Sequence, residues 1–232
     1  MKRLAIFAEG YTEILFLERL IECVAGNNNV VIDEIRIAGG GRAPRSVNWI
    51  RAQKPVANEL YYVLLVDCGN DRLVKDRIRE DHERLTNKGY SQIIGIRDVR
   101  PDFTRAELQK LESGLKKYIK TSLAPVQFVL SIMEIEAWFL AEHTHFARID
   151  NSITLPGIQA AFGFNPEADD MSLRPNPTDD LEQIYQLAGK SYAKGDANGT
   201  VSALDYDSVY LEMPDKINQL AALVQAINNF LS

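Results

Sequence analysis

The sequence predicts an α/β protein: a mostly parallel sheet flanked by helices, with a helical extension at its C-terminal end. Three observations predict it. Along residues 1–145 short apolar runs alternate with amphipathic stripes, the pattern of strand–helix–strand units joined by right-handed crossovers. The runs are rich in Val, Ile and Tyr and carry little charge, as parallel strands covered on both faces do. After His143 the runs give way to an irregular stretch rich in Pro, Asn and Asp, LPGIQAAFGFNPEADDMSLRPNPTDD, and then to two further helical stripes.

Strands are expected over Arg3–Ala8, Val30–Ile37, Tyr61–Val66, Gln92–Ile96 and Val126–Leu130. Helices are expected over Thr12–Ala25, where Ile14, Leu17, Leu20, Ile21 and Val24 share one stripe, and over Arg45–Asn58, Arg72–Lys88, Arg105–Ser122 and Glu134–His143. The two later helices are Asp179–Tyr192 and Pro214–Leu231, and Thr178 before Asp179 and Asp180 suits a helix N-cap with an acidic first turn. The 232 residues can bury a sizeable core. Residues 1–145 form the expected α/β domain, and 146–232 a helical extension packed on it, too small in core to stand alone.

Net charge is −6 and the isoelectric point about 5.2, with no basic tail or run. Constitutive binding of nucleic acid through bulk charge is therefore disfavoured. An acidic site that recruits divalent cations can still act on phosphates, because the ions invert the local charge. The two cysteines give no disulfide framework; Cys23 falls in the first helix's apolar stripe and reads as a buried thiol, which fits a reducing cytoplasm. The first apolar run is too short for a signal peptide, and no segment is long enough to span a membrane. The three histidines make no zinc-like set with the cysteines, and His143 and His145 read as surface residues at a helix end.

Carboxylates recur where strands end. In FAEGYTEILFLERLI, Glu9 closes the first strand at Gly10 and Glu13 enters the first helical turn, where a carboxylate also simply complements the helix dipole. In YYVLLVDCGNDRL, Asp67 ends a run of apolar residues, and Asp71 either joins it or caps the next helix. In SIMEIEAWFLAEH, Glu134 and Glu136 follow the last strand and open an apolar helix. A parallel sheet gathers such ends on one edge, where ligands bind in open α/β folds. The group would repel itself without cations, and Mg²⁺ or Mn²⁺ suits an all-oxygen site. Basic residues for a phosphate lie in AGGGRAPRSVNWIR, which offers Arg42, Arg45 and Arg51, or serve only as solvated loop residues; GIRDVRPDF adds Arg97 and Arg100.

With EGYTE after the first strand, Asp67 at the end of the third and EIEAW after a later one, the chain resembles the Toprim-like proteins. Within them it is most similar to the overcoming-lysogenisation-defect type of nuclease and a defence-associated branch. The likeness covers roughly residues 1–145, and NPTDDLEQIY in the tail also looks like that branch. It implies Mg²⁺- or Mn²⁺-dependent phosphodiester chemistry. Glu9 would act as metal ligand or general acid/base, Glu13 would hold a second acidic position, and Glu136 the later one. Of the family's Asp-x-Asp pair the first falls on Asp67 and the second on Gly69; either Asp71 substitutes from the turn or the site lacks that acid.

Three functions follow as expectations. The first is a Mg²⁺- or Mn²⁺-dependent nuclease of an intracellular defence or DNA-processing system, acting on DNA ahead of RNA. The second is a non-catalytic partner module for a separate ATPase, since the chain has no phosphate-binding loop of its own. The third is a phosphatase or nucleotide hydrolase using Asp67 as phosphoryl acceptor.

Overall fold

The computed structural model of the chain describes residues 1–26, 28–40, 43–53 and 60–232. Strand β1 (Lys2–Ala8) leads into α1 (Tyr11–Ala25), β2 (Val30–Gly40), β3 (Ala43–Arg51), β4 (Tyr61–Asp67), α2 (Asp71–Asn87), β5 (Gln92–Asp98), α3 (Leu108–Lys116) and β6 (Val126–Ser131). Helices α4 (Glu136–Ala141), α5 (His145–Ile149), α6 (Leu155–Phe162), α7 (Pro177–Gln186), α8 (Asn198–Ala203), α9 (Tyr206–Leu211) and α10 (Asn218–Leu231) follow. The sheet order is β3-β2-β4-β1-β5-β6, parallel throughout except for β3. The expected α/β class, with its mostly parallel sheet and helical C-terminal region, is what the chain adopts.

The period-2 pattern sorts the strands' side chains. Leu4, Ile6, Val63, Leu65, Ile94 and Ile96 face α1, α4 and α10, whereas Ala5, Phe7, Leu64, Val66 and Ile93 face Val74 and Ile78 of α2. At Gly95 the sheet and α2 meet so closely that a β-carbon would lie 2.7 Å from Ile78 Cδ1 and 2.8 Å from Phe128 Cδ1.

Several elements differ from expectation. The stretch expected to be irregular opens with α6 (Leu155–Phe162), whose cap is Thr154, and α7 starts at Pro177 behind Asn176, so Thr178 lies in its first turn and is not its N-cap. The helix expected over Arg45–Asn58 is, in its described part, strand β3, with Trp49 opposite Ile35 and Val47 opposite Ile37. Val47 and Ile50 suggest a helical stripe, but Val47 and Trp49 equally suit a strand, and only the ladder offered by β2 decides between them. Residues 54–58 of that helix lie outside the described residues.

The adjacent strands β1 and β5 send the chain to opposite sides of the sheet. β1 exits through α1 on one face toward β2, and β5 through α3 on the other face toward β6. That divergence opens a crevice beyond their carboxyl ends.

The C-terminal helices share the core of the sheet. Leu181 and Ile184 of α7 and Leu220, Leu223, Ile227 and Phe230 of α10 belong to the same apolar cluster as Leu4, Leu65 and Ile96. The Phe230 ring meets Tyr61 of β4 edge-on, centroids 5.5 Å apart. Cys23, expected to be buried, is half-buried, its thiol 3.4 Å from the carbonyl of Tyr206. No helix among the described residues is long and apolar enough to cross a membrane.

His145, expected at the surface, is fully buried, because α5 turns it inward against Phe146 and Tyr185. Its Nδ1 donates to the carbonyl of Glu142 at 2.5 Å, and its buried Nε2 has no partner. Burial pushes its pKa down to about 4 from 6.5. The unfolded chain therefore takes up a proton that the fold refuses, and stability is lost as pH falls from 6.5 toward 4. Burial raises the carboxyl of Glu142, which works in the opposite sense. The expected loss attributable to His145 is about 2 kcal/mol at pH 5. Denaturant titrations at pH 7 and 5 check it: the drop seen in wild type should be mostly absent in His145→Phe, and equal drops would mean another group is responsible.

Candidate functional site

Glu9 stands at the crevice because β1 ends one residue earlier, and Glu13 because it lies in the first turn of α1. Gly10 between them is extended (φ −162°), so the junction needs no left-handed glycine turn; the Gly10 N–H donates to Glu13 Oε2 at 3.1 Å. Asp98 closes β5, and its N–H donates to Glu9 Oε1. Among the described residues, Glu9, Glu13 and Asp98 each bring a carboxylate oxygen within 4.8 Å of the others, and all three are buried.

After β6, Met133 adopts a left-handed conformation (φ 65°) and turns the chain into α4. The Ile135 N–H donates to Asp98 Oδ1 at 2.9 Å. Glu134 and Glu136 reach the same place from this turn. Glu134 Oε2 accepts the Thr178 N–H at 3.0 Å, and Glu136 Oε1 accepts the Tyr192 hydroxyl at 2.7 Å.

The segment between α7 and α8 supplies the positive charge. Lys194 Nζ lies 3.0 Å from Asp98 Oδ2, 3.3 Å from Glu136 Oε2 and 3.6 Å from Glu134 Oε1. Thr12 of α1 donates its hydroxyl to the Lys194 carbonyl. Burial alone would lower the Lys194 pKa, but Asp98, Glu136, Glu134 and Glu13 outweigh it and hold the ammonium protonated. Burial drives the Asp98 carboxyl well above its usual range, Lys194 pulls it back, and Glu13 and Glu136 push it further up. One ammonium thus faces a surplus of carboxylates. A cavity of about 520 Å³ opens over the group, lined by Glu9, Glu13, Glu134, Lys194 and Arg100. A larger cavity of about 800 Å³, beside Trp49, Tyr62 and Tyr90, contains none of these carboxylates.

Comparison with protein-family models, curated proteins and solved structures gives no match.

The structure brings Glu9, Glu13 and Glu136 together, whereas Asp67, beside Ala8 at the end of β4, is taken up by Arg36 and is not one of the three clustered carboxylates. Asp67 stands in register with Arg36 of β2, whose Nε is 2.5 Å from Oδ2, and its Oδ1 accepts the Gly69 N–H at 2.8 Å. Gly69 is left-handed (φ 83°), a conformation a side chain disfavours, so that turn selects glycine over a second acid. Arg45 pairs with Asp81 and Glu80, and Arg51 with Glu18, rather than facing the carboxylates. Arg97 is buried against Asp102. Arg42 and the side chain of Asp71 lie outside the described residues; the backbone of Asp71 begins α2 behind an Asn70 cap.

Sequence reasoning passed over Asp98 and Lys194. Asp98 carries the same signal as Asp67, an acid ending an apolar strand, in the stretch GIRDVRPDF read for its arginines. Lys194 carries no local signal, because its partners are far back in the chain, Asp98 by 96 positions, and only the fold joins them to it.

Proposed function

We propose that the chain hydrolyses phosphodiester bonds with Mg²⁺ or Mn²⁺ held by Glu9, Glu13 and Asp98. The observation that carries this reading is the convergence of those carboxylates, from separate elements, within 4.8 Å at the carboxyl edge of a parallel sheet. The donor set is all oxygen and anionic, which fits a hard divalent cation. When bound, such an ion polarises a phosphate and activates water.

The chain's own residues do the rest. Backbone N–H groups of Asp98, Gly10 and Ile135 fix the orientation of Glu9, Glu13 and Asp98 in turn. Arg100, on the cavity wall, hydrogen-bonded through Nη1 to Asn176 and 3.9 Å from Glu134, is the arginine this reading assigns to a phosphate oxygen. The ordered motifs resembling Toprim-like nucleases support nucleic acid as substrate, DNA ahead of RNA, within a defence or DNA-processing system.

One observation favours a second reading, a non-catalytic partner of a separate ATPase. Lys194 already supplies the carboxylates with a cation. The third expectation, Asp67 as phosphoryl acceptor, gains no support from its pairing with Arg36.

The test is cleavage of single- and double-stranded DNA and RNA by the purified chain in Mn²⁺ and Mg²⁺. Cleavage should stop with a chelator and fall at least about 100-fold in Glu9→Gln, the scale on which acid/base and metal-site groups act. Cleavage indifferent to both treatments sinks the nuclease reading. No cleavage, together with capture of an ATPase, favours the second.

A further inference from the structure

We propose that Lys194 is a built-in occupant of the cation site, whose ammonium a divalent ion displaces from Asp98 in order to bind. The inference rests on the metal reading above and adds a competitor to it.

Asp98 is the shared ligand. Its Oδ1 is engaged by the Ile135 N–H at 2.9 Å, a backbone contact fixed by the turn into α4. Its Oδ2 is engaged by Lys194 at 3.0 Å. Of the two, only the lysine contact can be vacated without moving the main chain. A dication joining Asp98 to Glu9 and Glu13 would meet the ammonium at close range, and like charges a few ångströms apart in a poorly solvated crevice repel strongly.

Three features separate Lys194 from an ordinary buried ion-pair partner. Its side chain is 40% exposed, whereas those of Asp98 and Glu136 are 1% and 0% exposed, so the lysine stem borders solvent, as the carboxylates do not, although its ammonium is largely buried. The lysine stem is flexible and its head is strongly hydrated. Glu136 Oε2 is fully buried, accepts no hydrogen bond, and has the Lys194 ammonium 3.3 Å away, so it is aimed into the cluster with only that charge facing it. The segment that carries Lys194 is a three-residue turn, Lys194–Asp196, tied to α1 through Thr12 and to α4 through Tyr192. When the ammonium leaves, Tyr192 remains on Glu136 Oε1, and the turn that follows loses its contact with Asp98.

The experiment titrates Mn²⁺ by calorimetry into wild type and Lys194→Gln at one pH. It also follows amide hydrogen exchange of residues 192–198 of wild type with and without Mn²⁺. The variant should bind Mn²⁺ at least about tenfold more tightly, through relief of repulsion at contact range. In wild type the 192–198 amides should exchange faster once Mn²⁺ is bound. Equal or weaker binding by the folded variant overturns the proposal and makes Lys194 a residue that holds Asp98 and Glu136 in place. Unchanged or slower exchange in Mn²⁺-saturated wild type overturns it as well, and that arm stands if the variant does not fold. Binding by neither protein overturns the metal reading and the displacement together, a result distinct from equal binding by both.

Discussion

Asp98→Asn should abolish Mn²⁺ binding, and Asp67→Asn should leave it intact. Both aspartates end a strand of the same sheet, and both are buried, at 1% exposure. They differ in company. Asp98 lies beside Glu9 and Glu13, and burial with the Glu13 and Glu136 carboxylates favours a cation on it, which Lys194 supplies at present. Asn in its place keeps the oxygen that accepts the Ile135 N–H and removes the charge the ion would need. The expected loss of affinity is at least about 100-fold, the upper end of what even outer-shell substitutions cause at metal sites. Asp67 already has a cation in Arg36, and an asparagine oxygen can still accept from Gly69. Arg36 is 46% exposed and can turn to water, so Asp67→Asn should cost about 1 kcal/mol or less in stability. Calorimetry on both variants and their melting temperatures check the pair. Loss of binding in both would put Asp67 into the ligand set; loss in neither would take the ion away from the carboxylate cluster.

That contrast measures what a sequence can reveal of such a site. Strand runs such as Leu4–Ala8 and Tyr61–Val66 are legible because burial on both faces leaves a continuous apolar signature. The ends of those runs are legible too, so Glu9 and Asp67 stand out alike. Strand order is not legible: whether an end faces β5 or β2 depends on pairings far apart in the chain, and β1 beside β5 is what joins Glu9 to Asp98. Edge strand β3 has almost every residue exposed, so burial gives it no pattern, and its Val47–Ile50 spacing points to the wrong period. Lys194 lies in an irregular segment whose only distinction is its destination.

A chain cut to residues 1–145 should fail to fold cooperatively, although the strand–helix alternation and the likeness in sequence motifs both stop near that point. The reason is the placement of α10. Leu220, Leu223 and Ile227 are fully buried and Phe230 is 4% exposed, all within the cluster that covers one face of β1, β4 and β5. Each such side chain contributes about 1.5–3 kcal/mol. Four of them amount to about 6–12 kcal/mol, which matches the entire net stability of a typical domain, about 5–15 kcal/mol. The cut also removes Tyr192 and Lys194, leaving Asp98 and Glu136 buried without their hydroxyl and ammonium partners, a situation that is strongly destabilising in its own right. Near-ultraviolet circular dichroism and a urea titration of the fragment provide the check. A weak near-ultraviolet signal and a broad, uncooperative urea profile are expected. A sharp transition with native-like aromatic signal would show that residues 146–232 are a separable layer, and would also require Asp98 and Glu136 to find another cation, which added Mn²⁺ would reveal as a rise in the urea midpoint.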